Sequence, residues 1–195
     1  GLKTLADLVK AVSLESVLYG ESRFYPWFWE RANDIARYAT AIAWRQRSVC
    51  NVFPEHAHLA ALFQDCGVPI LIQHIEKYEY AFITAKGYIW PDVPAEDARF
   101  KTDHAVVGFL AARHWKLPGY ISEAVRWHHD PINVEDKAAT LVAILQTATH
   151  IYNVNAMKDD HEWACRAESA LGEIGVAQEG LKEFEEDIYD RARSV

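Results

Sequence analysis

The sequence is short of cysteine, of long apolar runs and of positive charge, and each shortage excludes a class of protein. The three cysteines among 195 residues, Cys50, Cys66 and Cys165, form an odd set with no C-x-x-C spacing. That excludes a disulfide framework and a zinc knuckle. It points instead to small buried hydrophobes in a reducing cytoplasm. No apolar run reaches the roughly 18 residues that a membrane helix needs, so no membrane span is read. Residues 1–7 lack the basic region and apolar core of a signal peptide. Lys and Arg number 20 against 28 Asp and Glu, a net charge of −8. An acidic chain without a basic stripe argues against direct nucleic-acid binding, and Arg37, Arg45 and Arg47 are only a small local cluster. Internal repeats, low-complexity segments and alternating strand patterns of useful length are also missing. Tyr88-Ile89-Trp90 is apolar but too short to count as a strand.

What is present is enough for one domain of ordinary size, or one with a small appendage. A chain of this length can bury about 70 % of its unfolded surface without a disulfide or structural metal. Half the residues are apolar, which excludes disorder. The charge is uneven: residues 1–158 hold 17 acidic and 16 basic side chains, and residues 159–195 hold 11 and 4. The acidity belongs to the tail.

Apolar periodicity is helical almost throughout, which predicts an all-α fold of about nine helices. Leu5, Leu8, Val9, Val12 and Leu18 form a first stripe. Pro26, in a position tolerated in a first turn, leads a helix to about Gln46 with Phe28, Ile35, Ala36, Ala39, Ile42 and Ala43 inward. Pro54 opens a third helix, and Gly67 is expected to close it as a left-handed cap. Pro69 opens a fourth. Residues 87–94, with one glycine and two prolines, read as the clearest loop. Thr102 or Asp103 caps a fifth helix, which ends at Leu117-Pro118-Gly119. A short sixth covers residues 122–129 and stops at Asp130-Pro131. A long seventh covers 135–155. Two more fit 160–171 and 178–192, separated by residues 172–175. In the last of these, Leu181, Phe184 and Ile188 share one face, the pattern of a helix docked on the domain.

Histidine carries the chemical signal. His74, His114, His150 and His161 are expected to be solvated or structurally satisfied, and the His56-x-His58 spacing makes a poor chelate on a helix. Three features stand apart. Asp65 is a carboxylate in the last turn of an apolar helix, where the helix dipole disfavours it by about 0.3–1 kcal/mol, so another group should hold it. Asp103-His104 begins a helix, with Asp103 expected as its cap. His128-His129 ends one, and adjacent histidines reach a common centre only where the helix has frayed.

Read in order, Trp29, Arg31 and Ala36 are followed by Ala61-Leu62-Phe63-Gln64-Asp65-Cys66-Gly67. Glu96 and Thr102-Asp103-His104-Ala105-Val106-Val107-Gly108 come next, then Trp115-Lys116-Leu117-Pro118, then Ala124-Val125-Arg126-Trp127-His128-His129-Asp130-Pro131. Over most of residues 2–155 this resembles the HDOD domain, a signalling branch of the HD phosphohydrolase superfamily. The resemblance implies an HD-superfamily-like helical bundle over residues 1–155, preceded in the family by further helices that lie ahead of residue 1. An acidic helical extension, 156–195, would pack on the same domain. If those preceding helices are missing, residues 24–29 (Phe-Tyr-Pro-Trp-Phe-Trp) are candidates for an exposed apolar face.

The resemblance also carries ligand positions. In catalytic members the first metal is held by an early histidine, the His-Asp pair and a late aspartate. These fall here on Arg31, Gln64-Asp65 and Thr149, of which only Asp65 can act as a transition-metal ligand of the expected kind. The second-metal positions fall on Asp65, His104, His128 and His129, a set suited to zinc, iron or nickel. This is half of a two-metal site, with Arg31 placed to substitute a guanidinium for the missing cation. Two-metal hydrolysis needs both ions. The expectation is therefore a cytoplasmic, non-catalytic signalling module of bacterial type, with a protein partner, a homodimeric state and a nucleotide or phosphate ligand. One alternative is a metal-dependent phosphohydrolase or phosphodiesterase with an incomplete site. Another is a structural or oligomerisation domain. Ligand type alone leaves a metal centre and a metal-free hydrogen-bonded cluster equally open.

Overall fold

The computed structural model describes residues 13–14, 16–20, 22–81, 83–84, 87–130, 134, 136–158 and 160–194. Ten α-helices have described bounds: α1 (Phe24–Arg45), α2 (Arg47–Cys50), α3 (Pro54–Gln64), α4 (Gly67–His74), α5 (Val93–Phe100), α6 (His104–His114), α7 (Gly119–Trp127), α8 (Asp136–Asn155), α9 (Trp163–Ile174) and α10 (Leu181–Arg193). Nine of them run eight residues or more. Two short strands, β1 (Ile83–Thr84) and β2 (Gly87–Tyr88), pair antiparallel. The fold is all-α. The expected apolar residues Leu5, Leu8, Val9 and Val12, the stop at Pro131 and the start at Glu135 lie outside the described residues.

The centre is α1, which packs on α3 and α8. Its inward face is the one expected from spacing: Phe28, Ile35, Ala36, Ala39, Ile42 and Ala43 are all buried. Small alanines along this face let the neighbouring helices approach closely. Helices α6 and α7 pack on each other, with α4 beside α6, and α7 bridges to α3 and α8. Helix α9 lies on α8 and α10 on α1. The latter buries Phe184 and Ile188 as their shared face predicts, with Leu181 only partly buried at the margin. No helix among the described residues is long and apolar enough to cross a membrane.

Several expectations change. Gly67 is not a left-handed cap but the first residue of α4, and its value lies in close packing described below. The left-handed residue after α6 is Lys116, at φ 57, where Leu117 N–H returns to Ala112 O at 3.0 Å. Residues 87–94 are not a plain loop. They contain β2 and the start of α5, a helix that the prolines concealed: Asp92 caps it through Ala95 N–H at 2.9 Å, and Pro94 sits in its first turn. The break at 172–175 is shorter than expected, since α9 continues to Ile174 and Gly175 closes it at φ 71. The aromatic run 24–29 is not an exposed face: Phe24, Tyr25, Phe28 and Trp29 are buried, with Tyr88 and Trp90 packed against the run. Cys50 and Cys66 are buried, but Cys165 is exposed.

Candidate metal centre

Each residue of the cluster stands at the end of an element. Asp65 follows the last residue of α3 as its C-cap. His104 is the first residue of α6, whose N-cap Asp103 accepts Val106 N–H at 2.7 Å. Asp103 is thus occupied in capping, as expected, and fixes where His104 starts. His128 is the C-cap of α7, and His129 lies beyond the helix. That fraying brings two consecutive histidines to one side, their rings 4.0 Å apart. Gln146 Nε2 donates to the His128 carbonyl at 2.9 Å and ties this corner to α8.

The candidate ligand atoms of Asp65, His104, His128 and His129 all lie within 4.8 Å of one another, in a buried setting. What surrounds each histidine decides its state. His104 Nδ1 meets Glu96 Oε2 at 2.5 Å, His128 Nδ1 meets the Val125 carbonyl at 2.8 Å, and His129 Nδ1 meets both Glu162 oxygens at 3.0 Å. Carbonyl and carboxylate oxygens only accept, so each Nδ1 donates. Each neutral imidazole then turns an Nε2 lone pair toward the centre. Three lone pairs converge with Asp65 Oδ1. His104 Nε2 and His129 Nε2 are 2.9 Å apart. Asp65 Oδ1 and His128 Nε2 are 3.3 Å apart, both buried and both without a hydrogen bond. A shared cation, either a metal ion or a proton, could satisfy such a convergence.

The electrostatics describe the proton-bearing form. Burial works against a charged His104, but Asp65 and Glu96 outweigh it and push its pKa up to about 9. Burial and the neighbouring His128 push His129 down to about 3. Burial also opposes ionisation of Asp65, yet Arg31 and the histidines hold its carboxyl well below the usual range. One proton on His104 can therefore occupy the place a divalent ion would take. The donor set fits zinc, iron or nickel, because each imidazole has the oriented Nδ1 partner that metal-binding histidines use.

The two oxygens of Asp65 divide the site. Oδ1 faces the histidines. Oδ2 accepts Arg31 Nη1 at 2.7 Å and Gln64 Nε2 at 3.1 Å, and Gln64 Nε2 is also 3.4 Å from Thr149 Oγ1. Arg31, Gln64 and Thr149 thus gather on the side opposite the imidazoles, where the sequence resemblance puts the first-metal positions. Arg31 is 5 % exposed, and its guanidinium lies 3.6 Å over the Trp90 ring. It is the group that holds Asp65 against the dipole of α3.

Sequence reasoning quoted Glu96 in the family pattern without a role, and missed Tyr78 and Glu162. Glu96 bonds Tyr78 through its other oxygen, extending the chain inward from His104. Glu162 links His129 to Arg166 on α9. A signal for Glu96 existed, since it stands eight residues before His104 with Asp92 and Pro94 marking a helix start. Glu162 carried none. Of the remaining histidines, His74, His114 and His161 are exposed. His150 is held between Asp160 (2.9 Å) and Glu185 (3.1 Å), and His56 bonds Tyr120.

The family model of the HDOD domain matches residues 1–131. A comparison with curated proteins finds no match. Among solved structures, the chain is similar to one described as a "putative phosphohydrolase" from Shewanella amazonensis SB2B, with a TM-score of 0.69 and 19 % identity over 95 % of this chain and 68 % of that one. It is similar to an HDOD domain protein of unknown function from Geobacter sulfurreducens, with a TM-score of 0.62 and 21 % identity over 94 % of this chain and 65 % of that one. It is also similar to the MmoQ response regulator from Methylococcus capsulatus str. Bath, with a TM-score of 0.56 and 20 % identity over 82 % and 60 %. The chain thus spans about two thirds of the length of the solved structures it matches. At these identities the similarity establishes the fold.

Proposed function

The chain belongs to the HDOD domain family, and on that premise we propose that it is a signal-transduction module built on a single-metal centre, without hydrolytic turnover. Asp65, His104, His128 and His129 would hold one zinc, iron or nickel ion. The carrying observation is the division of Asp65, with the His104 and His128 imidazoles on Oδ1, His129 behind His104, and the Arg31 guanidinium on Oδ2. When bound, the ion would neutralise the convergent lone pairs and join the ends of α3, α6 and α7 at one point. Arg31 supplies positive charge and paired donors, but it cannot lower the pKa of a water as a second metal does. The chain's own residues therefore bind and orient, and none stands ready to generate a hydroxide nucleophile at the Arg31 position.

The histidine corner is wired to the rest of the domain. Glu96 carries it to Tyr78, and Glu162 carries it to α9. This gives a change at the centre a physical route to surfaces where a protein partner or a second copy of the chain would dock. The test is turnover. Purified protein, with and without added zinc, iron or nickel, is assayed on a panel of phosphomonoesters and cyclic dinucleotides. The reading predicts no turnover above background. Metal-dependent turnover that disappears in a His104→Ala/His128→Ala double variant would establish a phosphohydrolase with an incomplete site instead.

A further inference from the structure

Two cations meet on one ring beside the centre. Arg31 Cζ is 5.6 Å from the centroid of Tyr152, and Lys158 Nζ is 5.1 Å from the same centroid. Each also has a tryptophan: Arg31 lies over Trp90 at 3.6 Å, and Lys158 lies 5.1 Å from Trp27. The two indoles are 5.5 Å apart, so the five side chains enclose a common corner. Aromatic faces hold cations in place without neutralising them. Asp65 takes one guanidinium N–H, and Arg31 makes no other hydrogen bond among the described residues. Lys158 Nζ bonds only the Tyr152 hydroxyl, at 3.4 Å, and makes no ion pair among the described residues. Glu30 acts on its charge but is not paired with it. The Lys158 ammonium is shifted down, by burial first and by Arg31 second. Trp90 Nε1 is buried without a hydrogen-bond partner.

Arg31 and Lys158 each keep N–H groups beyond the one bond each makes among the described residues, and the Trp90 indole N–H makes none; an anion with several oxygens would accept from all three. A guanidinium fork beside an ammonium is the donor arrangement that phosphate groups take. We infer that Arg31, Lys158 and Trp90, walled by Trp27 and Tyr152, form a binding site for the phosphate group of a small ligand. The inference deepens the proposed function by naming a ligand class for the same site, and it shares with that reading only the Arg31–Asp65 pair. The phosphate belongs either to a nucleotide or to free inorganic phosphate, and the aromatic walls would favour the former.

The experiment is tryptophan fluorescence titration of the full chain at constant ionic strength, with inorganic phosphate in one arm and a nucleoside monophosphate in the other. Chloride serves as control, and metal content is measured on the same samples. Saturable quenching by at least one phosphate probe is expected, with the affinity falling tenfold or more in Lys158→Gln and largely restored in Lys158→Arg. Lys158 is exposed, so both variants keep the fold, which circular dichroism checks. Tighter binding of the nucleotide assigns a phosphoester ligand, and equal binding assigns phosphate itself. Absence of saturation in both arms, or an unchanged affinity in Lys158→Gln, overturns the inference. Phosphate binding by metal-free protein that takes up no metal removes the proposed single-metal centre but leaves this site. Stoichiometric metal with no phosphate binding does the reverse.

Discussion

Gly67 sits so close to His104 that a Cβ on residue 67 would stand 2.0 Å from the His104 carbonyl oxygen and 2.9 Å from Gly108 N. The corner between α3 and α4 can lie on the start of α6 only because that side chain is missing. The same closeness puts Asp65 beside His104. Gly67→Ala meets backbone on α6 rather than a movable side chain. It should cost about 2–3 kcal/mol in stability, as overpacking of a rigid site does. Metal uptake should weaken with it. Urea denaturation read alongside metal content checks both, and a Gly67→Ala protein of unchanged stability would show that α4 and α6 can separate freely.

Glu96 orients His104 through the 2.5 Å contact at Nδ1. Partners of this kind tune a metal-binding imidazole, and their loss costs about 10–100-fold in affinity. Glu96→Gln should therefore bind metal at least tenfold more weakly in competition with a chelator. Tyr78→Phe, one step further away, should lose less. Equal affinities for wild type and Glu96→Gln would remove Glu96 from the site.

The tail is tied down by His150, stacked on Trp163 at 4.2 Å and held between Asp160 and Glu185. Despite burial, His150 and the neighbouring donors Asn153 and Trp163 N–H lower the Asp160 pKa below its ordinary 3.8. A carboxyl depressed on folding stabilises the protein above its unfolded pKa, and that stabilisation fades as pH falls through the folded value. Asp160→Asn should cost about 1–2 kcal/mol at neutral pH. The gap to wild type should narrow below about pH 4. Denaturation at both pH values checks this, and a constant gap would contradict it.

Thiol accessibility gives a simple check on the fold. Cys165 is exposed. Cys50 and Cys66 are buried, and burial raises the Cys50 thiol pKa to about 11. A thiol reagent should modify one cysteine per chain in the native protein and three after denaturation. Rapid modification of Cys66 would place an opening at the α3–α4 corner.

The helices and the four convergent residues were legible because their signals are local. A 3.6-residue apolar period marks α1 and α10, and a capped helix start or a proline stop marks His104 and His128-His129. What stayed hidden depends on long-range packing. Helix α5 begins in a proline-rich stretch that reads as loop, so Glu96 could not be placed on it. Glu162 lies 33 residues from His129, in an acidic tail where no motif singles it out. Gly67 carries the composition of a cap, yet its function is the approach of another backbone. Trp90 belonged to a run too short to classify, and only the folded chain sets it under Arg31.

The measurement that bears most directly on the single-metal centre is the number of ions each chain holds. Apo-protein is titrated with zinc, iron or nickel, dialysed, and analysed for metal per chain. The account predicts one ion per chain in wild type, one in Lys158→Gln, and none in the His104→Ala/His128→Ala double variant. Two ions per chain would contradict the role given to Arg31, and no ion in wild type would mean that a proton, not a metal, holds Asp65 and the three histidines together.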